Sequence, residues 1–264
     1  MTSETISSDA VVVLPASSEA IENEAAAINL IAEFFLHNPD KPFAEALTHL
    51  VPDGFTDSLS IQEAVQSIAS AAADAARDDE ALLNLKRDWT KLFRGISPDY
   101  GPTAPYAFLF LKGNSVEMMS DLAALYIDGG YDGYQKVHDR IDYIGICFQY
   151  LATVDLQIAN SINEKDAVEY KRLMLCRTVF LEQYLTPWVF EFILRARKFV
   201  QTSFYGAVLD LAMRCLDHFA SDHKTFIEIM SEEESREIAT REDNEMRNML
   251  AVMERGGEVP RAHA

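Results

Sequence analysis

Positive charge is scarce in this chain. It has 23 Lys and Arg against 42 Asp and Glu, a net charge of −19. Nucleic-acid readers need a concentrated basic patch, so that class is excluded. The acidic balance favours solubility and cationic partners, and its plainest meaning is a solvated acidic surface. Cysteine is nearly absent too: Cys147, Cys176 and Cys215 lie far apart, with no CxxC pair. An odd, dispersed set gives no disulfide framework and no zinc knuckle, and the three read as buried free thiols in a reducing compartment. No apolar run approaches the ~18 residues of a membrane span. The opening "MTSETISSDAVVVLP" lacks the basic region of a secretory signal. The expectation from these absences is a cytoplasmic protein.

Catalytic signatures are missing as well. There is no phosphate-binding GxxxxGK[ST], no GxGxxG after a strand and no GxSxG elbow. The three glycines of "DGGYDGY" come with two Asp that would repel phosphate, so the stretch is a helix-ending turn. Glu-x-x-His pairs, which build dinuclear metal sites in helical bundles, do not occur. His218 and His223 are split across a helix surface by their spacing, and His138 with Asp142 makes a pair without further ligands. "EEES" and "RDDE" read as solvated charge runs. An enzyme would have no visible engine here.

What is present is apolar, aromatic and helical. Hydrophobic residues make up 48% and aromatics 10% of 264 residues, enough for a substantial core. After a polar arm over residues 1–18, helical periodicity recurs almost without interruption. Ile21, Ile28, Ile31, Phe35 and Leu36 share one face, and "HNPDKP" stops it. A short helix "FAEALTHL" follows; Ser60 with Glu63 forms a capping box for an Ala-rich helix ending near Arg77. Leu82, Leu85, Trp89, Leu92 and Phe93 stripe the next helix, with Gly95 as its C-terminal stop. Asn114 and Glu117 suggest another capping box. A long helix is expected from about Asp139, carrying Ile141, Ile144, Cys147, Phe148 and Leu151, and another over 164–185. Thr186-Pro187 reads as a cap and restart, and Ser203 as the cap of the helix holding Phe204, Val208, Leu211 and Cys215. From Ser231 the chain turns highly charged. The expectation is an all-α protein of about ten helices and no sheet: an arm (1–18), a single helical domain (19–230) and a charged extension (231–264).

Four segments, in order, resemble the TorD/DmsD/NarJ group of chaperones for molybdenum-containing redox enzymes. "WTKLFRG" followed by "GPTAPY" resembles the group's aromatic-x-x-Leu-Phe-x-Gly and Pro-rich loop. "DRIDYIGICFQYLA", "FLEQYLTPWVFEF" and "TSFYGAVLDLAMRCL" resemble its later motifs at matching spacing. The chain departs from the pattern at Tyr143 and Tyr184, where the group has His, and at Phe108, where it has Ser.

The resemblance implies a TorD-like all-helical fold and a chaperone without catalysis or cofactor of its own. Its partner would be the precursor of a molybdoenzyme, bound through the twin-arginine signal peptide and the unfinished body, with a monomer or domain-swapped dimer both open. It also implies peptide-binding roles for Trp89, Leu92, Phe93, Tyr106, Asp142 and Tyr143, with Leu92 facing the core, Trp89 and Phe93 near a groove, and the Asp142 carboxylate available to an arginine. Gly95, Pro105, Gly145, Pro187, Trp188, Phe204 and Tyr205 match structural positions. The alternatives are a helical adaptor that binds another protein without reading a signal peptide and, remotely, a nucleotide hydrolase.

Overall fold

The computed structural model describes residues 14–51, 59–97, 99–113 and 115–217. The extension from Ser231, the His218–His223 pair, and the Ser60 and Asn114 caps lie outside the described residues or side chains. The fold is all-α. Eight helices are bounded within the described part: α1 (Glu19–Leu36), α2 (Lys41–Leu47), α3 (Leu59–Arg77), α4 (Asp79–Phe93), α5 (Ser115–Asp128), α6 (Ile144–Glu164), α7 (Ala167–Phe180) and α8 (Thr186–Ala196). A further helical stretch, α9, covers 203–217, so the number falls slightly short of ten. The described residues contain no strand, only an isolated antiparallel bridge between Tyr106 and Tyr143.

Local chemistry sets the boundaries. Asp40 caps α2 by accepting from the Phe43 amide, and Asp78 and Asp166 cap α4 and α7 in the same manner. Gly95 (φ +59°) stops α4 in the left-handed region, as expected for a C-terminal glycine.

Helix α6 is enclosed on all sides over its first three turns, from Ile144 through Phe148, Tyr150 and Leu151 to Asp155, which makes it the central helix. Along it packs α1, whose Ile28, Ile31, Phe34 and Phe35 are buried. At their crossing Gly145 stands so close to Leu36 that a Cβ would fall 2.6 Å from its Cγ. Asp155 on α6, Arg177 on α7 and Glu24 on α1 form an ion-paired set with N–O distances of 2.7 and 2.6 Å. One carboxylate of this set is fully interior, and periodicity alone would have left that position apolar.

Five local expectations are corrected. Helix α6 begins at Ile144, not near Asp139, because Asp139 and Asp142 spend polar groups on the loop after α4, accepting from the Tyr106 hydroxyl and from the Ala107 and Phe108 amides. The helix expected over 164–185 ends at Phe180 and widens into a π turn, Leu181–Leu185. Thr186 is helical (φ −57°, ψ −38°) rather than a cap. The wider turn accommodates the Pro187 ring without a break, and the Tyr184 carbonyl accepts from the Trp188 indole N–H at 2.6 Å. Thr202, not Ser203, opens α9, its Oγ accepting from the Tyr205 amide. Cys147 and Cys215 are buried, but Cys176 is only half-buried.

Candidate functional site

Two loops and one helix end build the most elaborate polar feature of the described surface. The last turn of α4 delivers Trp89, Leu92 and Phe93. Phe93 meets Phe35 of α1, Phe192 of α8 and Tyr205 of α9 at ring-centroid distances of 4.9, 6.3 and 5.4 Å. Leu92 is fully buried, and Trp89 keeps 8% of its surface while its indole N–H finds no partner. The chain then folds back on α4: a Cβ at Gly101 would stand 2.3 Å from the Lys91 carbonyl oxygen, so only glycine allows so close an approach.

The Pro-rich loop next meets the segment before α6. The Ala107 amide donates to the Asp142 carbonyl (3.1 Å) and the Ile144 amide to the Pro105 carbonyl (2.9 Å), which zips Tyr106 against Tyr143. Tyr143 is buried and donates its hydroxyl to the Phe35 carbonyl at 2.7 Å. Burial pushes its phenol far above the usual range. A tyrosine at this position therefore ties the loop to α1 rather than titrating near neutrality as an imidazole would.

Around this zipper stand two charge pairs. The Asp142 carboxylate is 0% exposed and accepts from the Phe108 amide (3.1 Å) and from Arg140 Nε (3.0 Å). Arg140 lies over the Phe108 ring, 3.8 Å from its centroid. Asp139 accepts from the Tyr106 hydroxyl (2.8 Å) and from Arg94 (3.0 Å), while the Arg94 guanidinium sits 5.6 Å from the Trp89 ring centroid. Burial, then the bond to Asp139, pushes the Tyr106 phenol up to about 12.

A cleft of about 300 Å³ adjoins the clasp. Phe108, Leu111 and Met118 supply apolar walls, Glu117 and Asp121 of α5 supply charge, and the π turn presents Tyr184. Burial raises the Tyr184 phenol, with Asp121 and Glu117 adding to the rise, so both carboxylates are felt at that wall. Tyr184 and Phe108, two of the three departures from the family pattern, thus share one cleft.

A family model described as the nitrate reductase delta subunit matches residues 57–194, just over half of the chain. The chain belongs to that family. It is the family of NarJ/TorD-type chaperones that the sequence motifs resemble, and chaperones of this kind serve the maturation of molybdenum enzymes. No curated protein matches the chain. The matched span holds the zipper, both charge pairs and the cleft, while the fourth motif, with Phe204 and Tyr205, lies beyond it.

Within this family member, the residues singled out from sequence divide into two groups. Leu92, Phe93 and Tyr143 are enclosed. Trp89, Tyr106 and Asp142 belong to the clasp, with the Asp142 carboxylate already bonded to Arg140. Of the structural set, Trp188, Phe204 and Tyr205 are core, and Phe204 meets Phe34 edge to face at 5.6 Å. Sequence reasoning missed Arg94, Asp139 and Arg140, although all three lie inside the quoted segments. Their signal was local: cations beside acids at the borders of aromatic motifs. It also missed Asp88, which is buried and accepts from the Gln201 and Thr202 amides and the Thr202 hydroxyl, locking α4 to the start of α9. Among the described residues no group of three or more His, Cys, Asp or Glu is arranged to hold a metal, and no helix is long and apolar enough to cross a membrane.

Proposed function

We propose that this protein is a cytoplasmic, system-specific chaperone for a molybdenum-containing oxidoreductase subunit. It binds the subunit's twin-arginine signal peptide and apo form, and so assists cofactor insertion and export; it is not itself an enzyme. The observation that carries this reading is the family match over the segment that builds the clasp and cleft. The chemistry agrees with it. A leader of this kind joins a cationic front to an apolar stretch, and its reader needs carboxylates beside aromatic rings and apolar walls. Asp139, Asp142, Glu117 and Asp121 supply the first; Trp89, Tyr106, Phe108, Leu111 and Met118 supply the rest. Leu92, Phe93 and Tyr143 hold that surface from beneath. The net charge of −19 speeds encounter with a basic segment.

A helical adaptor that reads no signal peptide is the second reading, favoured by one observation: Asp142 already has an arginine. The test is affinity capture of the client from the native cell, followed by titration with the recovered client's leader and with the client lacking it. Capture of a molybdoenzyme precursor whose leader alone binds supports the chaperone. Capture of an unrelated protein, with no leader binding, assigns the adaptor.

A further inference from the structure

Arg140 and Arg94 occupy their partners in an unusual manner. Arg140 leaves 45% of its side chain in water, yet it covers a carboxylate, Asp142, that is 0% exposed. It bonds that carboxylate through Nε while its Cζ stands over the Phe108 ring, 3.8 Å from the centroid. Carboxylate in front and aromatic face beneath form the chemical environment that recognises a guanidinium, because a planar cation bonds in its plane and stacks across it. Arg94 repeats the arrangement with Asp139 and Trp89, and here too the cation is 42% exposed. The Trp89 indole N–H, almost fully buried, has no partner. Neither arginine is needed to close the loops. The zipper between them is made by backbone bonds of Ala107 and Ile144, and the Asp142 carboxylate also holds the Phe108 amide.

We infer that these are two arginine-binding sockets that the protein fills with its own side chains. Asp142 with Phe108, and Asp139 with Tyr106 and Trp89, receive arginine side chains of a client segment, and Arg140 and Arg94 are the resident competitors. This rests on the proposed function and deepens it by naming the self-inhibition of the site. The resident cations serve two ends. They keep a buried carboxylate paired while no client is bound, since an unpaired buried charge is costly. They also raise the threshold for a client: a socket filled by its own arginine about nine-tenths of the time weakens a competing ligand about tenfold. Specificity follows, because a single lysine or a lone apolar segment displaces neither resident.

The test uses the full chain and a blocked heptapeptide, Ser-Arg-Arg-Ala-Phe-Leu-Lys, with a counterpart carrying Lys for both Arg. Arg140→Gln vacates one socket and should bind the arginine peptide about tenfold more tightly than the wild type. Arg140→Lys keeps the ion pair without the stacked plane and should fall between the two. The lysine peptide should gain little in either variant. If the wild type binds the arginine peptide and both variants bind it equally or more weakly, the sockets are structural clasps and the inference fails while the chaperone reading stands. Equal gains for the lysine peptide overturn the guanidinium assignment. If neither the wild type nor any variant binds either peptide, the signal-reading function falls with it. Arg140→Lys decides the matter should Arg140→Gln fail to fold.

Discussion

The aromatic hub at Phe93 and the charged clasp at Asp142 are neighbours, joined through Trp89 and Tyr143, yet they are held by opposite physics. The hub gathers rings from α1, α4, α8 and α9 that are fully enclosed, so shape and buried area set the energy. The clasp gathers two carboxylates, two guanidinium groups and a phenol near the surface, where water competes for the two arginines while the Asp142 carboxylate stays buried beneath them. Both contain residues of the same sequence motifs. The difference separates what a motif preserves for folding from what it can offer a ligand: the hub cannot open without unfolding, whereas the clasp can exchange partners one bond at a time.

Truncating the hub should have the largest effect. Phe93→Ala removes a fully enclosed ring and should cost about 3–5 kcal/mol. At ~2–4 °C per kcal/mol for a domain of this size, thermal melting should fall by about 10 °C or more. Client binding measured well below that melting point should persist, because the clasp carries the ligand contacts. Loss of binding in a still-folded Phe93→Ala protein would mean that hub and clasp are one unit.

Asp88 tests the boundary between the two. It is as buried as the hub but works by charge, accepting from two amides and a hydroxyl at the first turn of α9, where the helix dipole also favours an anion. Asp88→Asn should destabilise by about 1–3 kcal/mol, read by denaturant titration. Hydrogen exchange should rise first over 201–205; uniform acceleration across the fold would show that Asp88 is not a local lock.

The smallest effect belongs to the clasp. Tyr106→Phe deletes one bond to Asp139 and should cost about 1 kcal/mol near neutrality. Its pH dependence has a definite sign. The Tyr106 phenol ionises at about 12 in the fold against an ordinary 10.0, so it contributes stability below pH 10 that is lost as pH rises through about 12. The melting difference between wild type and Tyr106→Phe should therefore shrink over that window. A difference that grows instead would place Tyr106 in a site that favours tyrosinate.

Much of the fold was legible along the chain. Helix α4 could be read from its stripe and its glycine, most of α2 from the run "FAEALTHL", and α1 from one apolar face, because periodicity and capping are written in neighbouring residues. The segment before α6 was not. Asp139, Ile141 and Asp142 have helical spacing, but Asp139 and Asp142 bond to a loop some 35 residues earlier in the chain and the Ile141 carbonyl accepts from Tyr126 of α5, and those contacts overrode propensity. Thr186-Pro187 misled for a related reason: a proline usually marks a new start, and here a widened turn absorbs it. In the site, Trp89, Tyr106 and Asp142 could be identified by their resemblance to family motifs, but their neighbours Arg94 and Arg140 could not. A cation in sequence does not reveal whether it stands in solvent or on a ring.

By itself the sequence determined an all-α chain, the positions of most of its helices, and a family of chaperones, since each follows from local pattern. Only the tertiary structure decided which motif residues are enclosed and which face outward. It also decided that the carboxylate reserved on paper for a client's arginine is already held by Arg140. Burial and pairing depend on what the rest of the chain brings alongside, and no local pattern of residues encodes that.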